Sequence, residues 1–491
     1  MEYQEMLIDD LRKEMDEGKI TSEELFHKAN TFAHEKQEDY NSFVTIIDEY
    51  KKEGEGTILD GIPYALKDNI STRGILTTAS SNILKDYVPV YDATVYKKLK
   101  EAGAVLIGKT VLDELAMGGT GTTGHTGVVK NPWDKTRIMA GSSAGSASSV
   151  ALGIVPFSIG SDTGDSIRKP AAFGGIVGFK PTYGRVSRYG LFAFASSLDH
   201  VGCFTRSVRD AAYVTDIIKG YDPNDMTSLL DDHKKYSETL EKDIQGKKLF
   251  YIKEVCDLEF YKNSKDEELL ETLSKFHENI ELLREKGFII EEVSIDKSLL
   301  EALYPSYMAI SCAEATSNNA NLTGISFGPR GEGHSINDIM FDARTKGFSE
   351  LIKRRFVLGS FILQRENQEK LFLNAQRIRR MIVDKINDLF KEYDGMIMPS
   401  SGGIAPHFGE RNEQLSDRYL ILENHLVIGN FGGFPSISVP SGFVNNMPIS
   451  INLTGRCMED DVLLNMAYKI EKFIDEKHHT KGIVAKEEEH V

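Results

Sequence analysis

Apolar positions follow two different periods along the chain, which predicts strands alternating with helices. Ile62, Tyr64 and Leu66 occupy every second position and predict a strand, whereas Leu269, Leu273, Phe276, Ile280 and Leu283 follow the spacing of a helix. Short apolar runs predict further strands at 104–107, 248–252, 288–290 and 395–398. Apolar residues at helical spacing predict further helices at 94–102 and 371–389. This alternation predicts an α/β fold with a central mixed sheet covered by helices on both faces.

The pattern also suggests how the chain divides. Residues 1–60 predict a helical outer layer, in which Thr21-Ser-Glu-Glu24 has the spacing of a capping box. Residues 61–476 form the predicted main domain, with the polar stretch 221–246 as a surface excursion, and residues 477–491 form a charged tail. Two further helix starts are predicted, one after Lys109 and one at Ser264, where Glu267 completes a capping box.

Composition narrows the class of protein. The 491 residues are 41% hydrophobic and 27% charged, the amino terminus is acidic, and no apolar run of about 18 residues occurs, so we expect a cytoplasmic protein without a membrane segment. Four widely spaced cysteines and the lack of a Cys-x-x-Cys or His-Glu-x-x-His motif predict reduced thiols and no metal site. A net charge of −16 argues that any polynucleotide is held by a partner rather than by this chain.

The stretch 140–168 holds the densest candidate chemistry. Two loops rich in glycine and serine, 140–146 and 160–168, flank a predicted short helix and strand. Such loops bring backbone N–H groups and hydroxyls close to one reacting atom, which makes Ser142 and Ser166 candidate catalytic residues. The alternative is that these residues only form turns, for which glycine and serine are common.

Two motif matches in this part of the chain are weak. Residues 103–110 fit the P-loop pattern, but the segment between the two glycines is a predicted buried strand and not a flexible phosphate-binding loop. Residues 141–145 fit the nucleophile-elbow pattern, yet a polar, turn-rich stretch precedes them where that motif requires a strand. Neither nucleotide binding nor an α/β-hydrolase is therefore favoured.

A serine nucleophile needs a base, and Lys67 is a better candidate than His125 or His200. A lysine can activate a hydroxyl without histidine if it is largely neutral. Lowering its pKa from about 10.4 to about 7 costs about 4–5 kcal/mol, which burial on the inner face of a strand can supply. The alternative is a lysine paired with a carboxylate; the strand period places Asp68 on the opposite face from Lys67.

These elements resemble the amidase signature family. The resemblance covers residues of about 60 to 475 and rests on Lys67, on the Gly-Ser-Ser-x-Gly-Ser block at 141–146 and on Gly-Ser-Asp-Thr-Gly-x-Ser-Ile-Arg at 160–168. Residues 184–202, Lys180-Pro-Thr-Tyr-Gly184 and Lys353-Arg-Arg355 are similar to the glutaminase chains of tRNA-dependent amidotransferases within that family. The resemblance implies the amidase-signature fold, a mixed α/β architecture.

The resemblance also implies a Ser-Ser-Lys triad. Ser166 would attack an amide carbonyl, Ser142 would relay the proton, and Lys67 would accept it and return it to the leaving ammonia. The oxyanion hole would consist of the backbone N–H groups of Thr163, Gly164, Asp165 and Ser166. Each donor in such a hole typically lowers the barrier by about 2.7–4 kcal/mol.

The implied reaction is hydrolysis of free glutamine to glutamate and ammonia, with no cofactor in this chain. A B subunit would use the ammonia, together with ATP and Mg²⁺, to convert Glu-tRNA(Gln) to Gln-tRNA(Gln) or Asp-tRNA(Asn) to Asn-tRNA(Asn). A C subunit would join the two chains into a heterotrimer. The B subunit would hold most of the misacylated tRNA, which fits the acidic charge of this chain.

Several positions depart from the family pattern. Glycine is common where Asp165 stands, and a carboxylate there opposes a developing oxyanion unless its side chain points away. Arg355 matches the arginine expected to hold the α-carboxylate of glutamine, and Glu423 falls where an aspartate is expected to hold the α-amino group. Residues 448–452 also differ from the family pattern. Two other functions therefore stay open, a stand-alone amidase acting on a small amide and a scaffold subunit whose oxyanion hole Asp165 has disabled.

Overall fold

The computed structural model describes residues 3–262, 266–410, 416 and 418–478. Within these ranges one sheet contains all eleven strands. The strands are β1 (Phe43–Ile46), β2 (Pro63–Lys67), β3 (Val105–Thr110), β4 (Phe157–Asp162), β5 (Val177–Lys180), β6 (His200–Thr205), β7 (Lys248–Ile252), β8 (Ile289–Val293), β9 (Gly395–Pro399), β10 (Ser436–Val444) and β11 (Met447–Gly455).

The same ranges contain seventeen α-helices. They are α1 (Ile8–Asp16), α2 (Ser22–Tyr40), α3 (Thr94–Glu101), α4 (Ala144–Ala151), α5 (Arg168–Gly174), α6 (Val208–Ile218), α7 (Lys253–Cys256), α8 (Leu258–Tyr261), α9 (Glu267–Glu285), α10 (Lys297–Glu301), α11 (Leu303–Asn318), α12 (Ile336–Gly347), α13 (Glu350–Leu363), α14 (Arg365–Gln368), α15 (Asn374–Leu389), α16 (Val427–Phe431) and α17 (Asp460–His478). Of these helices, none combines the length and hydropathy that a membrane span requires.

The sheet is mixed, in the order β1-β3-β2-β4-β6-β5-β10-β11-β9-β7-β8. β2 runs parallel to β3 and β4, and β7 runs parallel to β8 and β9, while the other neighbouring pairs are antiparallel. Helices flank the sheet, and one large hydrophobic core joins them to it. The predicted α/β fold with a mixed central sheet is confirmed.

The amino-terminal segment differs from the predicted helical layer. Its two main helices are present, and the predicted capping box forms, with Thr21 N–H donating to Glu24 Oε2 at 2.8 Å and Glu24 N–H to Thr21 Oγ1 at 3.2 Å. However, Phe43–Ile46 forms the edge strand β1, which pairs with β3, so residues 1–60 contribute to the main sheet. At the other end, the predicted boundary at 476 falls within α17, and residues 479–491 lie outside the described ranges.

Other expectations change in detail. The predicted strand at 104–107 extends to Thr110, and the helix expected after Lys109 is instead irregular chain with one 3-10 turn, Glu114–Ala116. Helix α9 starts with Asp266 as its cap, accepting from Leu269 N–H at 2.9 Å, whereas Ser264 lies outside the described residues. Ahead of α15, a π-helical turn occupies Glu369–Leu373.

The parallel strands β2 and β4 and the closely packed helix α4 position the candidate site residues. Because β2 and β4 are parallel neighbours, their carboxyl-terminal residues Lys67 and Asp162 meet at the same edge of the sheet. Helix α4 is built from alanine, glycine, serine and one valine, all buried. A Cβ atom on Gly145 would lie 2.2 Å from the carbonyl oxygen of Ser42, so glycine is needed for this close approach.

Candidate active site

Lys67 lies at the centre of the candidate site and is fully buried. Its Nζ atom donates to the hydroxyls of Ser142 and Ser161, each at 2.8 Å. Among the described residues, no carboxylate lies within ion-pair distance of Lys67. Burial lowers the pKa of Lys67 to about 7, against the opposing attraction of the carboxylates of Asp113, Asp162 and Asp199. Near neutral pH this lysine can therefore accept a proton from a hydroxyl.

Ser161 is a site residue that sequence reasoning missed. Its hydroxyl accepts from Lys67 and also from Asn69 Nδ2 at 3.0 Å. Ser161 belongs to the loop motif that indicated Ser166, but nothing in its spacing distinguishes a residue that orients the lysine from an ordinary strand residue. Ser161 and Asn69 together fix the position of the Lys67 amine.

Ser142 and Ser166 occupy two loops that are joined by backbone hydrogen bonds. Ser142 follows a cis peptide bond after Gly141, and its carbonyl accepts from the N–H of Asp113 at 3.0 Å. The N–H of Ser143 donates to the carbonyl of Ser166 at 3.3 Å. Both serines are almost fully buried, with 1% and 4% of their surface exposed. The structure thus joins the Lys67 and Ser142 side chains and holds the backbone of Ser166 next to that of Ser143, whereas no hydrogen bond links the Ser142 and Ser166 side chains among the described residues.

The loop from Thr163 to Ser166 presents a row of free backbone donors. Among the described residues, no acceptor bonds the N–H groups of residues 163–166. The Thr163 hydroxyl donates to Asp199 Oδ1 at 2.7 Å, and Asp199 also accepts two backbone N–H groups, those of Phe194 and Ala195. Free N–H groups beside a serine are the arrangement that stabilises an oxyanion.

A buried ion pair fixes this loop from behind. Arg168 donates to both carboxylate oxygens of Asp162, at 3.1 and 3.0 Å, and to the carbonyl of Gly164 at 2.7 Å. Asn430 Nδ2 donates to Asp162 at 2.9 Å. Although burial opposes ionisation, Arg168 holds the pKa of Asp162 well below its usual range. The pair stays charged and sets the path of the chain on both sides of Ser166.

Asp113 holds the segment on the other side of Ser142. Its carboxylate accepts the backbone N–H groups of Thr120, Gly121, Thr122 and Thr123, at 2.9–3.2 Å. A Cβ atom on Gly141 would lie 1.9 Å from Asp113 Oδ2, so only glycine allows this contact. These bonds from Asp113 to the turn at 120–123 account for the irregular chain found where a helix was expected after Lys109.

The weak motifs have ordinary structural explanations. In the P-loop match, residues 105–110 are strand β3, and Lys109 is buried with its Nζ 3.5 Å from Asp68 and 2.9 Å from the carbonyl of Ile70.

His200 is buried, and its Nδ1 lies 2.6 Å from the carbonyl of Leu198. Burial lowers the pKa of His200 well below its usual value. Among the described residues, neither His200 nor His125 forms a hydrogen bond with Ser142 or Ser166.

Comparison with known proteins identifies the family of the chain. The family model described as Amidase matches residues 23–464. The A subunit of the glutamyl-tRNA(Gln) amidotransferase of Halothermothrix orenii is 38% identical over 487 residues, covering 97% of this chain and 99% of that protein. The chain belongs to the amidase family.

Solved structures agree with this membership. The crystal structure of the glutamyl-tRNA(Gln) amidotransferase A subunit from Thermotoga maritima is 35% identical, with a TM-score of 0.78, and covers 97% of this chain and 96% of that one. A peptide amidase from Stenotrophomonas maltophilia has a TM-score of 0.78 at 24% identity, covering 96% of this chain and 97% of that one. The latter likeness shows the fold alone, so the amidase fold by itself does not fix the substrate.

Arg355, the amidase-family candidate for the α-carboxylate, has no acidic partner in the described part of the chain. It lies on α13, half-buried, with its guanidinium 5.6 Å from the ring centre of Phe194 and Nη1 3.8 Å from the sulfur of Met308. Tyr307, which is partly buried near Arg355, packs against Gly164 in the serine loop. The guanidinium therefore lies near the loop without a carboxylate to neutralise it.

Glu423, the candidate for the α-amino group, already has cationic partners. Its Oε2 atom accepts from Lys169 Nζ at 2.9 Å, and its Oε1 atom lies 3.7 Å from Arg418 Nε. The carboxylate of Asp165 lies 4.0 Å from the same Lys169 amine. The Asp165 side chain is thus directed towards Lys169. No local pattern predicts the Lys169–Glu423 contact, because its residues are 254 positions apart.

Proposed function

We propose that this chain is the glutamine-hydrolysing subunit of a tRNA-dependent amidotransferase. It would release ammonia for the conversion of Glu-tRNA(Gln) to Gln-tRNA(Gln), and of Asp-tRNA(Asn) to Asn-tRNA(Asn) where the partner accepts that tRNA. Support comes from relatives named as the A subunit of glutamyl-tRNA(Gln) amidotransferase, which this chain matches over nearly its full length. The observation that carries the chemistry is a buried Lys67 that bonds to Ser142 and has no carboxylate partner among the described residues.

The proposed reaction begins with attack by Ser166. Its Oγ atom forms a bond to the carboxamide carbon, its proton passes to Ser142 Oγ, and the Ser142 proton passes to the neutral Lys67 amine. The carbonyl oxygen takes up the electron pair of the broken π bond and becomes an oxyanion, which the N–H groups of residues 163–166 stabilise.

Collapse of the tetrahedral intermediate then breaks the carbon–nitrogen bond. The leaving nitrogen receives a proton through Ser142 from Lys67 and departs as ammonia, which leaves an acyl ester on Ser166. Water attacks the ester, giving its proton to the same relay, and release of glutamate restores the Ser166 hydroxyl. A lysine with a pKa near the working pH can both accept and return the proton.

The partners follow from this role. We expect a B subunit that binds the misacylated tRNA and activates it with ATP and Mg²⁺, and a C subunit that joins the other two chains in a heterotrimer. The net charge of −16 is consistent with a tRNA held mainly by the B subunit. We place the protein in the cytoplasm, where its four cysteines, all free thiols, would remain reduced.

The test is ammonia release from free glutamine by the purified chain, with and without B and C subunits. We expect turnover that increases with the partners and falls at least about 10³-fold in Ser166→Ala. Ser149→Ala is the matched control, because Ser149 is a buried serine on α4 that donates to the carbonyl of Ser146, outside the proposed relay, and it should keep its activity.

Other outcomes would favour the other functions. Hydrolysis of other amides without any glutamine turnover would indicate a stand-alone amidase. Inactivity on every amide, with the chain still assembling with the B and C subunits, would indicate a scaffold role. Ammonia release that persists in Ser166→Ala would contradict the assigned nucleophile.

A further inference from the structure

The hydroxyl of Thr163 is held by a buried carboxylate that has no part in the proposed relay. Thr163 and Asp199 are each only 2% exposed, and Thr163 Oγ1 donates to Asp199 Oδ1 at 2.7 Å. The backbone N–H groups of Phe194 and Ala195 donate to the same carboxylate at 3.0 and 3.1 Å. Burial raises the pKa of Asp199 to about 6, so the group is mostly ionised near neutral pH. A hydroxyl bound to a carboxylate makes one of the stronger hydrogen bonds in proteins.

Fixing this hydroxyl restricts the backbone at the start of the loop 163–166. Threonine is branched at Cβ and stiff about χ1, so the direction of its hydroxyl is coupled to that of its backbone. The N–H of Thr163 is the first of the free donors that this loop presents. The carbonyl of the same peptide unit, that of Asp162, accepts from Asn430 Nδ2 at 3.2 Å, but this amide also donates to two other acceptors. The contact with Asp199 is therefore the shorter and the charged hold on Thr163.

A second charged group holds the other part of this loop. Arg168 donates to the carbonyl of Gly164 at 2.7 Å. Because the C=O and N–H of a trans peptide point in opposite directions, this bond turns the N–H of Asp165 away from Arg168. Asp199 and Arg168 thus act at different residues of the loop, and neither can replace the other.

The turn that carries Asp199 is itself clamped by two helices. Ser197 donates its N–H and its hydroxyl to Glu314 of α11, at 2.9 and 2.6 Å, and Arg379 of α15 donates to the carbonyl of Ser197 at 3.1 Å. A side chain can fix a neighbouring loop only if its own position is fixed by further contacts. This turn belongs to the segment 184–202, which supplies no member of the proposed relay.

We propose that Asp199 is a positioning residue of the reaction, which holds the first N–H donor of the oxyanion hole in place through the hydroxyl of Thr163. This inference rests on the proposed attack by Ser166. It gives the segment 184–202 a role in the chemistry, because a donor aimed in advance at the developing oxyanion needs no rearrangement during the reaction.

The charge of Asp199 provides a readout that is separate from its hydrogen bond. The carboxylates of Asp113, Asp162 and Asp199 all attract the charged form of Lys67 and so oppose the effect of burial on its pKa. Removing the charge of Asp199 lowers the pKa of Lys67 further, whereas removing the Thr163 hydroxyl leaves all three charges in place. Variants of the two residues should therefore share a loss of rate and differ in their pH profiles.

The experiment measures ammonia release from glutamine by the full chain with its B and C partners. Thr163→Val keeps the branched shape and removes the hydroxyl, so we expect kcat to fall about 10- to 100-fold with KM nearly unchanged. Thr163→Ser keeps the hydroxyl and should recover most of that loss. The matched control is Thr205→Val, since Thr205 is a buried threonine on β6 whose hydroxyl donates to the carbonyl of Ser207 at 2.7 Å, and it should keep its activity.

Asp199→Asn tests the other side of the contact. We expect a similar fall in kcat, together with a shift of the acidic limb of the pH profile to lower pH that Thr163→Val does not show. The double variant Thr163→Val/Asp199→Asn should lose no more activity than Asp199→Asn alone, because both changes break the same contact. Thermal unfolding of each variant verifies that it is folded.

The outcomes separate this inference from the proposed function. Wild-type kcat in Thr163→Val, equal losses in Thr163→Val and Thr163→Ser, or losses that multiply in the double variant would overturn the role of Asp199 while wild-type glutamine turnover stands. If the wild-type complex releases no ammonia from glutamine, or if Ser166→Ala releases as much as wild type, the proposed function and this inference both fail.

Discussion

Lys67 and Lys109 lie on neighbouring parallel strands, and both are fully buried, yet their surroundings differ in one respect. Lys109 has a carboxylate, that of Asp68, 3.5 Å from its Nζ atom, whereas Lys67 contacts the hydroxyls of Ser142 and Ser161. Burial lowers the pKa of both amines, that of Lys109 to about 8 and that of Lys67 to about 7.

The partner decides what each lysine can do. An amine paired with a carboxylate in a buried site is stabilised as an ion, and removing either member leaves an uncompensated charge. An amine surrounded by hydroxyls is easily deprotonated and has a proton donor within reach. Burial alone therefore does not make a catalytic lysine, and Lys109 serves as an internal control for Lys67.

The largest effect is expected from Lys67→Met, which keeps the length of the side chain and removes the base. We expect kcat/KM for glutamine to fall at least about 10³-fold, because no other group in the described site can take the Ser142 proton. Stability should change little, since the variant also removes the cost of burying an amine. Steady-state ammonia release and urea unfolding measure the two quantities. Retention of more than a tenth of the activity would contradict the role of Lys67.

Lys109→Met should show the reverse pattern. It leaves Asp68 buried without a cation, so we expect the free energy of unfolding to fall by about 3–5 kcal/mol. Activity per folded molecule should stay within a few-fold of wild type. The double variant Asp68→Asn/Lys109→Met should recover part of the lost stability, and the coupling in this double-mutant cycle should reach about 1–3 kcal/mol. Additive losses would mean that the two side chains do not interact as a pair.

The pH dependence of the reaction tests whether Lys67 is the base. Because the neutral form of Lys67 is the base and its pKa is about 7, kcat/KM should rise about tenfold per pH unit below 7 and level off above it. Asp165→Asn should keep the rise of kcat/KM below pH 7, because the rise comes from Lys67. Asp165 also titrates in this range, since burial raises its pKa to about 6. A profile that is flat between pH 6 and 8 would rule out a titrating Lys67.

The sequence predicted this contrast only in part. The strand period placed Lys67 on an inner face and separated it from Asp68, and the apolar run before Lys109 argued against a phosphate loop; both predictions are confirmed. Their common basis is local, because the alternation of side chains along a strand depends only on neighbouring residues.

Features that depend on distant residues could not be predicted. The Lys169–Glu423 pair joins positions 254 residues apart, and the direction of the Asp165 side chain depends on that pair. The helical layer predicted for residues 1–60 overlooks Phe43–Ile46 because a strand of four residues is too short to show a period, and its partner β3 lies about 60 residues later. Local patterns therefore indicated the candidate residues Lys67, Ser142 and Ser166, whereas the ion pairs around the candidate site depend on tertiary contacts.

The smallest effect concerns Ser161, which shares the Lys67 amine with Ser142. Ser161→Ala removes one of two hydroxyl acceptors, so we expect kcat to fall about tenfold with KM unchanged, and the acidic limb of the pH profile to move to lower pH because a contact that favours the charged amine is lost. Ser158→Ala is the matched control, since Ser158 is a buried serine on the same strand that bonds to the carbonyl of Ser146. Equal losses of activity in the two variants, without a shift of the limb, would reduce Ser161 to a packing residue and leave Ser142 as the only hydroxyl that matters to Lys67.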